Sequence, residues 1–111
     1  MASAQLAYCL DILGHVATGE GHYAEAQAAL RESLGLHHDL GDPAGIAATL
    51  ECIAALAATE AQPEHAVQLA GAAAGIRDEV GAQLSPSGRA RLDKWLAPLR
   101  QVLGAETTTL A

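Results

Sequence analysis

Five histidines and two cysteines are the residues of this chain whose side chains could bind a metal ion or attack a substrate. Zinc sites take such ligands at short, paired spacings, as in C-x-x-C or H-x-x-x-H. Cys9 and Cys52 each stand alone, and the adjacent His37 and His38 would face different directions on a helix. We therefore predict no metal site and no cofactor. The histidines are expected mostly at the surface, and the cysteines are expected to pack as small apolar groups.

Catalysis by a cysteine would need a neighbouring base and an electropositive, partly exposed setting. Cys9 lies in an apolar stretch close to Asp11, which would disfavour its thiolate, and His15 is six residues away. A disulfide between Cys9 and Cys52 is geometrically conceivable, because the two lie in corresponding segments, but a reducing cytoplasm argues against it. The carboxylates follow the pattern of solvated helix surfaces. These observations predict a protein that is not an enzyme.

The composition favours α-helices over β-strands. Apolar residues make up 50% of the chain, mainly alanine and leucine, whereas aromatic residues make up 3% and phenylalanine is absent. The formal net charge is -7, and the basic residues cluster only between residues 77 and 100, among acids. A nucleic-acid binder would present a basic face. No signal peptide is visible, and no apolar run approaches the ~20 residues that span a bilayer. We expect a cytoplasmic, all-α protein without direct nucleic-acid or membrane contacts.

The sequence repeats itself at an interval of forty residues. The match holds without a gap from residue 7 to residue 81. A period of this length is typical of helical-repeat proteins, in which each unit is one supersecondary structure. The identical pairs are Ala7 and Ala47, Leu10 and Leu50, Ala17 and Ala57, Glu20 and Glu60, Ala26 and Ala66, Gly35 and Gly75, and Gly41 and Gly81.

Each unit predicts two helices separated by a break rich in glycine or proline. Asp42 can cap a helix, and Pro43 fits the first helical position. Ser85 and Pro86 begin a fifth helix in the same way, and Pro98 would kink or divide that helix. The predicted single domain covers residues 1–104, with repeat one at 3–41, repeat two at 42–81, a capping helix at 85–103 and a disordered tail at 105–111.

Apolar residues recur at three- and four-residue intervals in every predicted helix and mark its face toward the core. Helix pairs in tandem stack into an α-solenoid. The fifth helix would cover the open side of the second pair. The predicted stripes are Leu6, Leu10, Leu13 and Ala17; Ala26, Leu30, Leu34 and Leu40; Ile46, Leu50, Ile53 and Ala57; Val67, Ala70, Ala74 and Ile76; and Leu92, Trp95 or Leu96, Leu99, Val102 and Leu103.

The first unit resembles a tetratricopeptide repeat. Gly14, Tyr23 and the A-E-A-x-x-x-L run that ends at Leu30 fall where that repeat places its small and large packing residues. In the second unit Pro63 replaces the tyrosine and Ala54 replaces the glycine. The period of forty residues is longer than the thirty-four residues of the standard repeat and resembles a lengthened form of it. The resemblance implies an α-solenoid of two such repeats and a capping helix.

A second resemblance covers roughly residues 19–104. The motifs L-G-D-x-x-G-I-A, L-x-G-A-A-x-x-x-R and G-A-x-L-S-P, in this order, resemble the C-terminal repeat region of bacterial LuxR-type and related ATPase-containing transcriptional regulators, which are common in actinobacteria. In that family the repeats follow a signalling ATPase, often precede a helix-turn-helix, and are thought to sense an inducer or bind a regulatory partner. This chain contains no G-x-x-x-x-G-K-[ST] loop and no basic recognition helix. ATP binding and DNA binding are therefore not transferred to it.

Binding residues are expected on the concave side of the solenoid, which the first helix of each pair lines. Tyr8, Asp11, His15 and Thr49 lie there outside the predicted apolar stripes. Tyr8 and His15 are the strongest candidates, because each offers contact area and a hydrogen bond. Tyr8 could instead pack against a preceding repeat.

Two hypotheses about function remain open at this stage. The favoured one is a non-catalytic module, part of a bacterial transcriptional regulator or free-standing, that binds a protein, a peptide or a small-molecule inducer. Neighbouring ATPase and DNA-binding domains would be its partners within a larger chain. The alternative is a scaffold that dimerises through its first repeat, with Leu6, Leu10 and Leu13 exposed, because two repeats are fewer than stability usually requires.

Overall fold

The computed structural model describes residues 2–110, with side chains described from residue 3 to residue 103. This part of the chain contains five α-helices and no strand, which confirms the all-α prediction. Each of the first four helices packs against the next one in the chain, α1 also reaches α3, and α5 contacts both α3 and α4. The helices are α1 (Ala2–Gly19), α2 (Tyr23–Asp39), α3 (Pro43–Thr59), α4 (Pro63–Val80) and α5 (Pro86–Leu110).

Local signals determine where the last three helices begin. Asp42 caps α3, because its side chain accepts a hydrogen bond from the Gly45 amide at 3.0 Å. Ser85 acts in the same way on the Gly88 amide, at 3.1 Å, at the start of α5. The first residue of α3, α4 and α5 is in each case a proline, which loses no hydrogen bond there.

The two turns that join the helices of each pair have matching backbones. Gly21 (φ 81°) follows α1 and Ala61 (φ 59°) follows α3, both in the left-handed region. The amide after each turn residue bonds back to residue 17 or 57, at 2.8 Å and 2.9 Å. This conformation costs an alanine roughly 1–2 kcal/mol, whereas glycine adopts it freely.

The core consists of two small clusters. The first contains Ala26, Leu30 and Leu56, and the second contains Ala54, Ala70 and Leu96. Gly14 belongs to the contact between α1 and α2, because a Cβ atom built on it would lie 2.5 Å from Cγ and Cδ2 of Leu30. The missing side chain thus makes room for the fully buried leucine.

The buried face of four helices differs from the predicted stripe. In α4 and α5 single predicted positions, Ala74 and Val102, are exposed, whereas α1 and α2 differ along their length. In α2 the stripe was predicted to pass from Leu30 to Leu34 and Leu40, but the buried positions are Ala26, Leu30, Ser33 and His37, and Leu40 is exposed. In α1 the buried positions are Ala7, Leu10 and Gly14, and the predicted core residues Leu6 and Leu13 are exposed. Both helices are rotated relative to the prediction because small or polar residues face the interhelical contacts.

Helix α5 continues through Pro98 as far as Leu110, so the predicted division at the proline is wrong. The helix also occupies most of residues 105–111, for which the sequence predicted a disordered tail; residue 111 lies outside the described residues. Once a helix has formed, each added residue gains a hydrogen bond for little further ordering, which favours extension.

Candidate functional site

Asp11 stands at the centre of a polar cluster buried where α1, α2 and α3 meet. Its Oδ1 accepts hydrogen bonds from Ser33 Oγ at 2.7 Å and from Thr49 Oγ1 at 2.8 Å. Ser33 and Thr49 are fully buried, and their hydroxyl oxygens lie 3.3 Å apart. Ser33 Oγ also lies 3.0 Å from the carbonyl oxygen of Ala7. Because a buried carboxylate is costly unless donors satisfy it, the cluster ties α2 and α3 to Asp11 of α1.

His37 lies between two carboxylates. Its Nε2 is 3.4 Å from Asp11 Oδ2, and its Nδ1 is 3.4 Å from Asp42 Oδ2. A proton on Nε2 suits the contact with Asp11, and Nδ1 is then a buried nitrogen without a hydrogen-bond partner among the described residues. Only the imidazolium form donates from both nitrogens. Gly45 permits this approach, because a Cβ atom there would collide with the imidazole and with the Asp42 carboxylate.

The cluster contains serine, histidine and aspartate, but in an order that does not activate a nucleophile. In a Ser-His-Asp triad the imidazole lies between the hydroxyl and the carboxylate and removes the hydroxyl proton. Here the Asp11 carboxylate lies between Ser33 and His37, and Ser33 is fully buried. This arrangement holds three helices together and presents no hydroxyl to a substrate.

A second acid–base pair joins α3 to α4. Arg77 donates from Nε and Nη2 to the two carboxylate oxygens of Glu51, both at 2.8 Å, and from Nη1 to the carbonyl oxygen of Ala82 at 3.1 Å. The hydrogen bond with Glu51 raises the pKa of Arg77 above its ordinary value. In this pair and in the pair of Asp11 with His37, the acid precedes the base by 26 residues. The two pairs are forty residues apart, and each base also approaches the turn that follows its helix.

The two cysteines are free thiols in different surroundings. Cys9 is exposed on α1, so the prediction that it packs in the core is wrong. Cys52 is partly buried against the cluster of Ala26, Leu30 and Leu56. Burial, with smaller contributions from the negative charges of neighbouring carboxylates, raises the pKa of the Cys52 thiol from 9.0 to about 12. This thiol therefore stays protonated near neutral pH and is a poor nucleophile.

The structure separates the four predicted binding residues into two groups. Tyr8 and His15 are exposed on α1, at a seven-residue spacing that places them on one side of the helix. Thr49 is fully buried, and the Asp11 side chain is only 14% exposed. The prediction of an accessible surface at Asp11 and Thr49 is wrong, because these two side chains bond each other inside the cluster.

Sequence reasoning did not select Ser33 and His37. It assigned the histidines mostly to the surface, yet only 7% of His37 is exposed. One signal was available: from Ala26 and Leu30, the helical spacing of three and four leads to Ser33 and then to His37. Their polar character led the prediction to Leu34 instead.

The outer side of α1 is largely apolar and uncovered, with the exposed Gln5 as a neutral polar residue on it. Its side chains are exposed by 47% at Leu6, 66% at Tyr8, 46% at Ile12, 58% at Leu13 and 48% at Val16. We call these residues together with the exposed Cys9 the α1 face. The only acidic residue of α1 is Asp11, which turns away from this face into the polar cluster. Contiguous apolar surface of this kind is characteristic of a contact site for another macromolecule.

A shallow cleft of about 140 Å³ lies between α2, α3 and the start of α4. Ile53 and Leu56 supply its apolar lining, and Gln27 with Glu60 closes one edge through a contact of 3.5 Å. Small-molecule sites usually enclose roughly 300–1,000 Å³ and cover most of the ligand. The cleft is therefore too small and too open to enclose an inducer.

Two further properties concern metals and membranes. None of the described residues form a group of three or more histidine, cysteine and acidic side chains placed to hold a metal ion. Within residues 2–110, no helix has both the length and the apolar content that crossing a bilayer requires.

Comparison with known proteins identifies no relative. No protein-family model, no curated protein and no solved structure matches the chain.

Proposed function

We propose that this chain is a non-catalytic protein-binding module of the helical-repeat type, and that the α1 face is its contact surface. The observation that carries the proposal is the exposure of Leu6, Tyr8, Ile12, Leu13 and Val16 on one uncovered, uncharged helix side. Such a surface gains free energy when a partner removes it from water, at roughly 25 cal/mol per Å² of apolar area.

Several observations support a solenoid of two tetratricopeptide-like repeats. Helices α2 and α4 begin at residues 23 and 63, which are forty positions apart. Left-handed residues recur at the same offset, at Gly21 and Ala61 and again at Gly41 and Gly81. The interhelical acid–base pairs also recur at this offset. Repeated units of this type expose the outer face of the terminal unit unless a cap or partner covers it.

A protein partner fits the α1 face better than a small-molecule inducer does. The α1 face is a row of side chains along a helix, which matches the apolar stripe of another helix. An inducer would instead need an enclosed pocket. The cleft near Gln27 holds only about 140 Å³, and the larger hollow of about 580 Å³ beside Pro63 is open to solvent.

The resemblance of residues 19–104 to the repeat region of LuxR-type regulators suggests the setting. In such a cytoplasmic bacterial protein, the module would transmit a signal by binding a neighbouring domain or a regulatory protein. We propose equally that residues 19–104 form such a repeat region.

Self-association is the second candidate function. Leu6, Cys9, Leu13 and Val16 follow one another at intervals of three and four residues, the spacing of a coiled-coil seam. Leu10, which was predicted to join this contact, is only 8% exposed and is not available for it. A dimer would therefore form through the α1 face alone.

Photo-crosslinking in cells that naturally express the chain would test the proposal. A photoreactive phenylalanine analogue at position 13, on the α1 face, should yield one discrete adduct with another protein. The same analogue at the exposed Gln68 of α4 is the matched control and should yield none. An adduct of two copies of this 11.3 kDa chain would favour self-association. Adducts only from position 68, or none from the α1 face, would refute a contact at α1.

A further inference from the structure

The same interhelical contact occurs twice in this structure. Helix α3 covers α2 by placing Leu56 against Ala26 and Leu30, with Cys52 packed beside them. Helix α5 covers α4 by placing Leu96 against Ala70, with Leu92 packed beside them.

The residues that make these contacts are forty positions apart. Leu56 and Leu96 are equivalent, and so are Cys52 and Leu92. Leu56 is 2% exposed and Leu96 is 1% exposed, so each is removed from water by the helix that precedes it. Helices α3 and α5 thus contact the preceding helix through the same two positions of the repeat, which lie four residues apart on one side of the helix.

Helix α1 carries the third copy of this surface. The positions equivalent to Cys52 and Leu56 are Ile12 and Val16, and Leu13 is equivalent to Ile53 of the first core cluster. Ile12 is 46% exposed and Val16 is 48% exposed, because within residues 2–110 no helix packs on this side of α1 as α2 packs on α3. Tyr8 and Leu6 extend the same exposed surface.

We propose that the α1 face receives the second helix of another two-helix unit of this kind, which stacks on α1 as α2 stacks on α3. This inference depends on the proposed function, since it names the partner of the α1 face. The incoming helix carries small or branched apolar residues four positions apart, as α2 does at Ala26 and Leu30. It places no charge on the α1 face, which has no charge to pair with it.

One position makes the partner differ from α2. In the contact between α2 and α3, Ser33 lies 3.3 Å from Thr49, and both hydroxyls bond Asp11. The residue of α1 equivalent to Thr49 is Cys9, whose thiol is a weak hydrogen-bond partner. A hydroxyl opposite Cys9 would lose the contact with Thr49 and would need an acid of its own unit, as Ser33 has in Asp11. The incoming helix therefore has either that acid beside it or alanine at this position, as α4 does at Ala73.

A second copy of the chain does not meet these requirements. Its Ala26 and Leu30 are fully buried under its own α3, so its α2 is not free to cover another α1. The chain could self-associate only by placing a different surface on the α1 face.

An extended chain would test the inference with Cys9 as the reporter. The full 111-residue protein is preceded by a second copy of residues 2–42, in which Cys9→Ser removes the added thiol. If the added second helix covers α1, alkylation of the original Cys9 under native conditions should be slower by roughly tenfold or more than in the parent chain.

The matched control is the same extension with Leu30→Asp in the extra copy, which should leave Cys9 as reactive as in the parent chain. Equal reactivity of Cys9 in the parent and in the extended chain would overturn the inference. So would equal protection by the Leu30→Asp extension, or protection in the parent chain that grows with its concentration. If crosslinking from position 13 succeeds while the extension gives no protection, the proposed function stands and only the stacked-unit partner is refuted.

Discussion

Gly14→Ala should destabilise the protein even though alanine is the better helix former. The added Cβ atom would lie 2.5 Å from two side-chain atoms of Leu30, which is fully buried, so the leucine would have to shift within the core. Overpacking a core costs about 1–3 kcal/mol. The higher helix propensity of alanine returns about 1 kcal/mol. The free energy of unfolding should therefore fall by up to about 2 kcal/mol.

The same substitution should change sign when Leu30 is truncated. Leu30→Ala alone should cost about 2–5 kcal/mol, because it leaves a cavity above Gly14. In that background the Cβ atom of Gly14→Ala has space, so it should add about 0.5–1 kcal/mol of stability. The double variant has alanine at both positions, as the chain itself does at Ala54 and Ala70, forty residues later.

Urea denaturation followed by circular dichroism would measure the four corners of this cycle. Gly35→Ala is the matched control, because Gly35 is also helical, is exposed and has no atom within 4 Å of the added Cβ. It should stabilise the protein by about 0.5–1 kcal/mol. The reasoning is refuted if Gly14→Ala stabilises as Gly35→Ala does, or if its cost persists unchanged in the Leu30→Ala background.

Three further predictions concern the buried polar groups. Asp11→Asn should lower the free energy of unfolding by about 1–3 kcal/mol in urea denaturation. It should also shift the His37 imidazole proton from Nε2 to Nδ1 in nitrogen NMR spectra. An unchanged tautomer would contradict the assigned contacts. Arg77→Lys should cost about 1–2 kcal/mol, because lysine cannot make the bidentate contact, and Arg89→Lys on the exposed surface should cost nothing measurable. Folding raises the pKa of the Cys52 thiol from 9.0 to about 12, so the folded state keeps this proton to a higher pH than the unfolded state does. Stability should fall by about 1.4 kcal/mol per pH unit between these values, and Cys52→Ala should remove that slope.

The order and limits of the helices were largely predictable from the sequence. Pro43, Pro63 and Pro86 mark the starts of α3, α4 and α5. Glycines at positions 21, 41 and 81 mark the ends of α1, α2 and α4. The accessibility of the candidate site residues was predictable only in part. Tyr8 and His15 are exposed as expected, but Thr49 is buried, and sequence reasoning did not select Ser33 and His37. A histidine is assigned to the surface unless its partners are known, and here those partners come from other helices.

What the sequence determined by itself was local: an all-α chain in which capping residues, prolines and glycines set the helix limits through neighbours at most a few residues away. What only the tertiary structure decided was which side of each helix is buried. Ser33 is buried because it bonds Asp11, 22 residues earlier, and Thr49 because it bonds the same carboxylate from 38 residues away. Leu13 is exposed because no helix of the described part of the chain packs on that side of α1. A polar group can be buried, and an apolar one left in water, only according to partners that the fold brings together.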